Sequence, residues 1–510
     1  MHYISTRGHT EPVSAAQAIK QGLAEDGGLL VPDTMPTLSL DDIAELSRQD
    51  YAARAVSILS LFLTDYTAHE LSEAVASAYD EVRFVPSPAP VVQLNKYNDR
   101  AFMLELWHGP TAAFKDIALQ VLPHLMSAAI RKTGETNRIC ILTATSGDTG
   151  KAALEGFRDV PGTEVIVFYP SHGVSEAQKL QMITQEGGNC HVVAVSGTFD
   201  DAQNGVKQLF GDANLAETLL RQNILLSSAN SINWGRLVPQ IVYYFSAYAD
   251  LLQQEKIECG ELINLVIPTG NFGNILAAWY ARQMGLPVHK LICASNRNKV
   301  LSDFIRNGHY DRRREFYKTN SPSMDILVSS NLERLLFELT GRSSDRVRQW
   351  MGELQSSGHY QIDGHALRLL QEVFVGGFAD DSGTVKTIRD VYDQCDHLVD
   401  THTAVGFNVY GRYQARSADQ TRTLFIATAS PLKFAAAVGD AIFGNGYSRG
   451  RSEEKLLQEL SEESGLEIPA TLGNLAARPV LHSRVISKDA MRQTVLEILA
   501  SARLVDAGQA

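Results

Sequence analysis

A lysine placed where water is scarce is the first residue here that could do chemistry. Lys115 stands in WHGPTAAFKDIALQ (107–120), between an apolar strand-like run at 102–107 and a helix that the pattern places at about 116–131. That helix is apolar nearly all round (Ile117, Leu119, Val121, Leu122, Leu125, Met126, Ile130), so it is expected to be buried. At its N-terminal end the helix dipole is positive and the surroundings are dry, and both disfavour an ammonium ion. An amine held uncharged is a nucleophile able to form an imine with a carbonyl. By position alone, a surface lysine that snorkels to water is the commoner arrangement.

Three further segments offer places for an anion. TATSGDTGKAAL (143–154) follows the apolar run ICILTA and opens a helical pattern, so the backbone N–H groups of Thr145, Ser146, Gly147, Asp148 and Thr149 meet at a helix N-terminus. It is not a nucleotide-binding P-loop, because Thr145 and Ala152 stand where Gly and Ser/Thr are needed, and Ala144 excludes a GxSxG nucleophile elbow. A tight strand-to-helix turn fits it equally. IPTGNFGNILAAW (267–279) repeats the strand–glycine loop–helix plan, with Gly270 and Gly273 permitting close backbone approach. It lacks GxGxxG, so a dinucleotide fold is the weaker reading. In SSANSINWGR (227–236), Ser231, Asn233 and Arg236 could donate to an anion, the arginine in bidentate fashion, although a capped helix start fits as well. Two phosphate seats in one chain suit a phosphorylated cofactor beside an anionic substrate. His397 and His402 are five apart, wrong for two ligands on one helical face, and no HExxH occurs, so no metal site is expected.

The elements that must position these residues follow from the apolar rhythm. Residues 1–90 read as helical, with apolar faces at 13–23 and through 41–80, and the proline-dense PSPAP (86–90) marks a boundary. Beyond it, continuous β-branched runs at 139–144, 164–169, 191–195, 223–227, 263–268, 290–294 and 423–428 alternate with helical stretches at 175–186, 201–210, 236–254 and 275–284. Such strands imply parallel sheets covered on both faces. The expected architecture is α/β: a helical N-terminal domain (1–90), an α/β domain with Lys115 and a substrate loop (91–250), and a second α/β domain with the glycine loop and C-terminal helices (251–510). The 510 residues are enough for several cores, and the formal charge of −12, from 46 basic and 58 acidic residues, disfavours a nucleic-acid binder. No apolar run approaches the roughly 20 residues of a membrane span, the N-terminus has no apolar leader core, and five widely spaced cysteines suggest neither disulfides nor zinc. A cytoplasmic setting is the expectation.

FKDIALQ (114–120), TSGDTG (145–150), SANSINWGR (228–236) and PTGNFGN (268–274) stand in the order found in threonine synthases, and the chain resembles that family. YISTRG (3–8) and GLAEDGGLLVP (22–32) are similar to its N-terminal signature, and DTHTAVG (400–406) and ATASPLKF (427–434) to its C-terminal segments. The resemblance covers nearly the whole chain and points to the long bacterial and fungal form. It implies a pyridoxal-phosphate enzyme of fold type II, the tryptophan-synthase-β fold, acting on O-phospho-L-homoserine and water to give L-threonine and phosphate. It further implies that Lys115 carries the cofactor, that Gly270, Asn271, Phe272, Gly273 and Asn274 cradle its phosphate, and that Thr428 faces its ring nitrogen. The substrate's carboxylate and phosphate then fall to residues 145–149 and to Ser231, Asn233 and Arg236. Two departures stand out: Ser430-Pro431-Leu432-Lys433-Phe434 where the family often has His-Pro-Ala-Lys-Phe, and Thr401 where it commonly has proline. The alternatives are a related phospho-lyase or dehydratase and a catalytically silent phosphate-binding protein.

Overall fold

A computed structural model describes residues 1–94, 100–145, 147–172 and 174–507. Two sheets carry the site. The larger has the strand order Phe374–Phe378, Val288–Ser295, Ile263–Pro268, Thr423–Ala427, Ala101–Glu105, Val91–Gln93, parallel except for the last. The second, wholly parallel, has the order Val485–Ser487, Cys190–Ser196, Thr163–Pro170, Arg138–Ala144, Ile224–Ser227. Every apolar run expected to be a strand is one. Three strands of these two sheets were not legible: Val91–Gln93 and Val485–Ser487 are short edge pieces, and Phe374–Phe378 contains Gly376 and Gly377, which weaken the strand signal.

The expected division at residue 250 does not separate the sheets. Residues 101–105 pair with Thr423–Ala427, and Val485–Ser487 returns to the sheet built from 138–227. Parallel strands need crossovers, so the chain can leave one sheet, build another and come back. The N-terminal region is mainly helical (Ala15–Gln21, Leu40–Leu46, Tyr51–Phe62, Ala68–Ala78), each helix capped by Ser14, Ser39, Asp50 or Thr67. It also contains an antiparallel pair, Tyr3–Ser5 with Leu30–Pro32.

Two buried helices join these parts. Lys115–Lys132 begins within one residue of its expected start, and Pro123 inside it removes the N–H that would pair with Leu119 O. Gly156 of the next helix packs there so closely that a Cβ would lie 2.0 Å from that oxygen. Trp234–Gln253 is buried along nearly its whole length, and Trp234 packs against Tyr3 (5.4 Å) and Phe62 (5.6 Å) of the N-terminal region. That region therefore forms one wall of the core shared with the site rather than a detached module.

Candidate active site

A cavity of about 470 Å³ opens where the strands of both sheets end. Five strands, ending at Glu105, Ala144, Ser227, Pro268 and Ala427, deliver their following loops to it, which is where open parallel sheets bind ligands. Among the helices that start at this cavity or at its wall are those beginning at Lys115, Asp148 and Gly273, none of which is capped by the side chain of its own N-cap residue. Their unpaired N–H groups and dipoles make the cavity favourable to anions.

Lys115 lines the cavity with its side chain 11% exposed. Burial, aided by the charges of Arg236 and Lys433 and opposed by Asp148, lowers its amine from 10.5 to about 8. The nearest partner, Asp148 Oδ2, is 3.5 Å away, a loose contact. The uncharged amine anticipated from the helix start is thus within reach of neutral pH.

The 270–274 loop is held from behind. Gly270 O accepts from Ser329 Oγ (2.9 Å), and Asn271 O accepts from Asn331 N (3.2 Å) and Nδ2 (3.0 Å). The N–H groups of Asn271, Phe272, Gly273 and Asn274 have no partner among the described residues. Phe272 adopts a left-handed φ of 64°, which swings the backbone into the helix that follows. Asn274 Oδ1 accepts from the hydroxyls of Tyr243 and Tyr244, which turns its Nδ2 into a buried donor with no partner. A Cβ on Gly270 would meet Ser323 O at 2.8 Å, and one on Gly273 would meet Ser231 Cβ at 3.2 Å.

Arg236, 3% exposed, also lines the cavity. Its Nη1 donates to Ala229 O (2.6 Å), its Nε is buried without a partner, and it forms no ion pair among the described residues, although the Asp116 carboxylate acts on it from farther off. Burial presses its guanidinium down to about 10, so it stays charged at neutral pH. Ser231 reaches the same wall and accepts from Asn331 Nδ2 at 2.8 Å.

The side chains of two expected anion contacts are engaged elsewhere. Asn233 is fully buried and spent on the backbone: Nδ2 donates to Ile19 O (2.9 Å) and Ser228 O (3.0 Å), and Oδ1 caps Gly235 N (2.9 Å). It shapes the turn that presents Arg236. Asp148 is a buried carboxylate already surrounded by donors; burial works against its charge, but Lys433 and Lys115 hold it well below the usual carboxylate range. An anion beside anionic substrate would repel it, so its place is opposite the lysines. In the same loop, Thr145 Oγ1 accepts from Gly147 N and Gly150 N (both 2.9 Å), while Thr145 and Thr149 line the cavity. Gly147 takes φ 139°, and a Cβ there would lie 2.4 Å from Gln178 Cδ, so only glycine fits. Ser146 lies outside the described residues. Thr428 lines the cavity, and its carbonyl accepts from Phe114 N (2.9 Å), fixing it beside the Lys115 turn.

Sequence reasoning missed three residues. Lys433, wholly buried, reaches Asp148 Oδ1 at 2.8 Å. Ser323 donates its hydroxyl to Asp148 Oδ2 (2.8 Å) and its N–H to His402 Nε2 (3.1 Å). His402 Nδ1 faces Asp400 Oδ1 at 2.8 Å, which orients the ring so that Nε2 meets Ser323 N. The only signal for Lys433 and His402 was their presence in the C-terminal family-like segments. His397 pairs with Glu105 (3.2 Å), away from His402, and no cluster that could hold a metal ion occurs among the described residues.

A largely buried lysine among loops at the ends of parallel strands whose N–H groups favour anions defines the class, and residues 82–429 match the family model for pyridoxal-phosphate dependent enzymes. Residues 2–79 match the model of the threonine synthase N terminus, and 403–485 that of the threonine synthase C-terminal region. The threonine synthase of Pseudomonas aeruginosa is 38% identical over 444 residues, 87% of this chain and 91% of its own. The solved pyridoxal-phosphate-bound threonine synthase of Brucella melitensis superposes with a TM-score of 0.84 at 34% identity, covering 98% of this chain and 99% of its own. Threonine synthase-like 1 of Macaca fascicularis is 39% identical over 506 residues, 95% of this chain, and the chain spans 65% of that relative's length. The chain belongs to the threonine synthase family. Its residues fit the cofactor: the partnerless N–H groups and Asn274 Nδ2 suit a phosphate, and a Cβ would fill the cradle at Gly270.

Proposed function

We propose that the chain is a threonine synthase, converting O-phospho-L-homoserine and water to L-threonine and phosphate. The observation that carries this is the largely buried Lys115 amine in one cavity with the partnerless N–H groups of residues 271–274 and the Arg236 guanidinium. In this reading Lys115 attaches pyridoxal 5′-phosphate covalently, Gly270, Asn271, Phe272, Gly273 and Asn274 hold its phosphate, and the Thr428 hydroxyl stands at its ring nitrogen. The cofactor, when bound, supplies an electron sink for negative charge developing beside the substrate's amine. Lys115 Nζ takes one proton from Cα and one from Cβ, phosphate leaves from Cγ, and the two protons return at Cγ and Cα while water adds its hydroxyl at Cβ and gives its other proton to the released phosphate. A base with a pKa near the working pH serves both directions of transfer. Arg236 and Ser231 bind one substrate anion, and Thr145, Thr149 and the neighbouring N–H groups bind the other.

The partner is a small molecule, in keeping with a cavity of about 470 Å³. No helix among the described residues is long and apolar enough to cross a membrane. The cysteines are all free, and four of the five are buried, which supports a reducing, cytoplasmic setting. The intact Lys115 counts against a silent homologue. A single-turnover experiment with O-phosphohomoserine, scoring phosphate and the amino-acid product together, tests the proposal. Equal amounts of phosphate and threonine are expected. Phosphate without threonine favours a lyase, and neither product overturns the reading.

A further inference from the structure

Asp148 gathers donors from four other parts of the chain. Its Oδ1 accepts from Lys433 Nζ (2.8 Å) and Gln178 Nε2 (2.8 Å), and its Oδ2 accepts from Ser323 Oγ (2.8 Å) and faces Lys115 Nζ at 3.5 Å. Two lysines therefore share one buried carboxylate, and they share it unequally. Lys433 sits in the short turn Pro431–Phe434, is wholly buried, and gives its other bond to Thr111 O at 2.8 Å. Lys433 is the closer counter-ion, at 2.8 Å against 3.5 Å for Lys115, and removing it would leave the buried carboxylate short of a partner. We propose that Lys433 is a positioning residue: as the standing counter-ion of Asp148, it leaves the Lys115 amine free to act as base and cofactor anchor.

The inference rests on the role given to Lys115 above. The charged groups around that amine come from every neighbouring element. Asp148 faces it from one helix, Lys433 from the 431–434 turn, and Arg236 from the Trp234–Gln253 helix. Asp116, on its own helix, is turned away onto Thr111 N (2.8 Å) and Oγ1 (2.6 Å). The Asp400–His402 pair reaches the amine only through Ser323 and Asp148. Burial acts first on Lys115; of the charges, Asp148 favours its protonated form and Lys433 and Arg236 oppose it. Without Lys433, Asp148 would draw Lys115 in as its ammonium partner.

Competitive acetylation with acetic anhydride tests this on the full chain freed of cofactor. Labelling of the Lys115 peptide is followed by mass spectrometry from about pH 6 to pH 11, a range that brackets ordinary and depressed lysines. The midpoint in the unsubstituted chain is expected near 8. Lys433→Met should raise it by about one unit or more, lowering the free amine at neutral pH about tenfold. Lys433→Arg should restore it, and Asp148→Asn should move it downward. Opposite shifts from the two partners cannot come from a general loosening of the fold. An unmoved or lowered midpoint in Lys433→Met, or equal shifts in both variants, overturns the inference. Borohydride trapping of pyridoxal phosphate separates it from the proposed function: if Lys115 of the unsubstituted chain is never trapped, both fall. If it is trapped normally but the midpoints stay put, only the role of Lys433 falls.

Discussion

Replacing Arg236 with methionine keeps most of the side chain's volume and removes one charge from the cavity wall. Arg236 spends Nη1 on Ala229 O, leaves Nε buried without a partner, and forms no ion pair among the described residues, the Asp116 carboxylate acting on it from farther off. A buried ion without a counter-ion costs several kcal/mol even after relaxation, and an anionic ligand relieves that cost. A hydrogen bond to a charged group contributes about 1.5–3 kcal/mol, so kcat/KM for O-phosphohomoserine should fall roughly ten- to a hundredfold. Stability should change little, because relief of the buried charge offsets the lost bond to Ala229. Phosphate release gives kcat/KM, inhibition by homoserine gives the affinity for an unphosphorylated ligand, and a thermal melt of the ligand-free chain gives stability. The expected pattern is a large loss with the phosphorylated substrate, a small loss with homoserine and a melt shifted by no more than a few degrees. Equal losses with both ligands would mean that Arg236 holds the carboxylate. No loss with either would move the phosphate seat to the 145–149 loop, and a steep fall in the melting temperature would make Arg236 a structural residue.

Lys115→Ala should abolish turnover while pyridoxal phosphate still binds without covalent attachment, since the 270–274 loop is untouched; dialysis and borohydride trapping read both. Gly273→Asp should weaken pyridoxal phosphate far more than homoserine, because a carboxylate meets the phosphate cradle and its Cβ lies 3.2 Å from Ser231 Cβ; unchanged cofactor affinity by titration would place the cradle elsewhere. Stability should also depend on pH through Lys115. Its folded pKa, about 8, lies below its ordinary 10.5, so between these values the unfolded chain binds more protons and stability rises with pH. Over that window the gain is about 3 kcal/mol, at about 1.4 kcal/mol per unit. Urea unfolding of Lys115→Met, compared with the unsubstituted chain, should lack that rise; parallel pH dependences would refute a depressed Lys115.

The sequence by itself determined the central strands of the two larger sheets, because continuous β-branched runs such as 263–268 and 139–144 carry their burial in their own composition. It also determined Lys115 and the 270–274 loop, since a helix start and a glycine turn are local events written in adjacent residues. Local reasoning failed where a polar residue had two possible uses. Asn233 and Arg236 lie three positions apart in one cluster, yet one is consumed by Ile19, Ser228 and Gly235 while the other faces the cavity. Asp148 read as part of an anion loop because its partners are remote: Ser323 stands 175 residues away, and Lys433 comes from near the far end of the chain. The choice of strand neighbours was hidden for the same reason, since Ala101–Glu105 finds its partner in Thr423–Ala427. Only the tertiary structure could decide these, because the charge state of a buried group depends on which charges lie within a few ångströms of it, and sequence distance does not measure that.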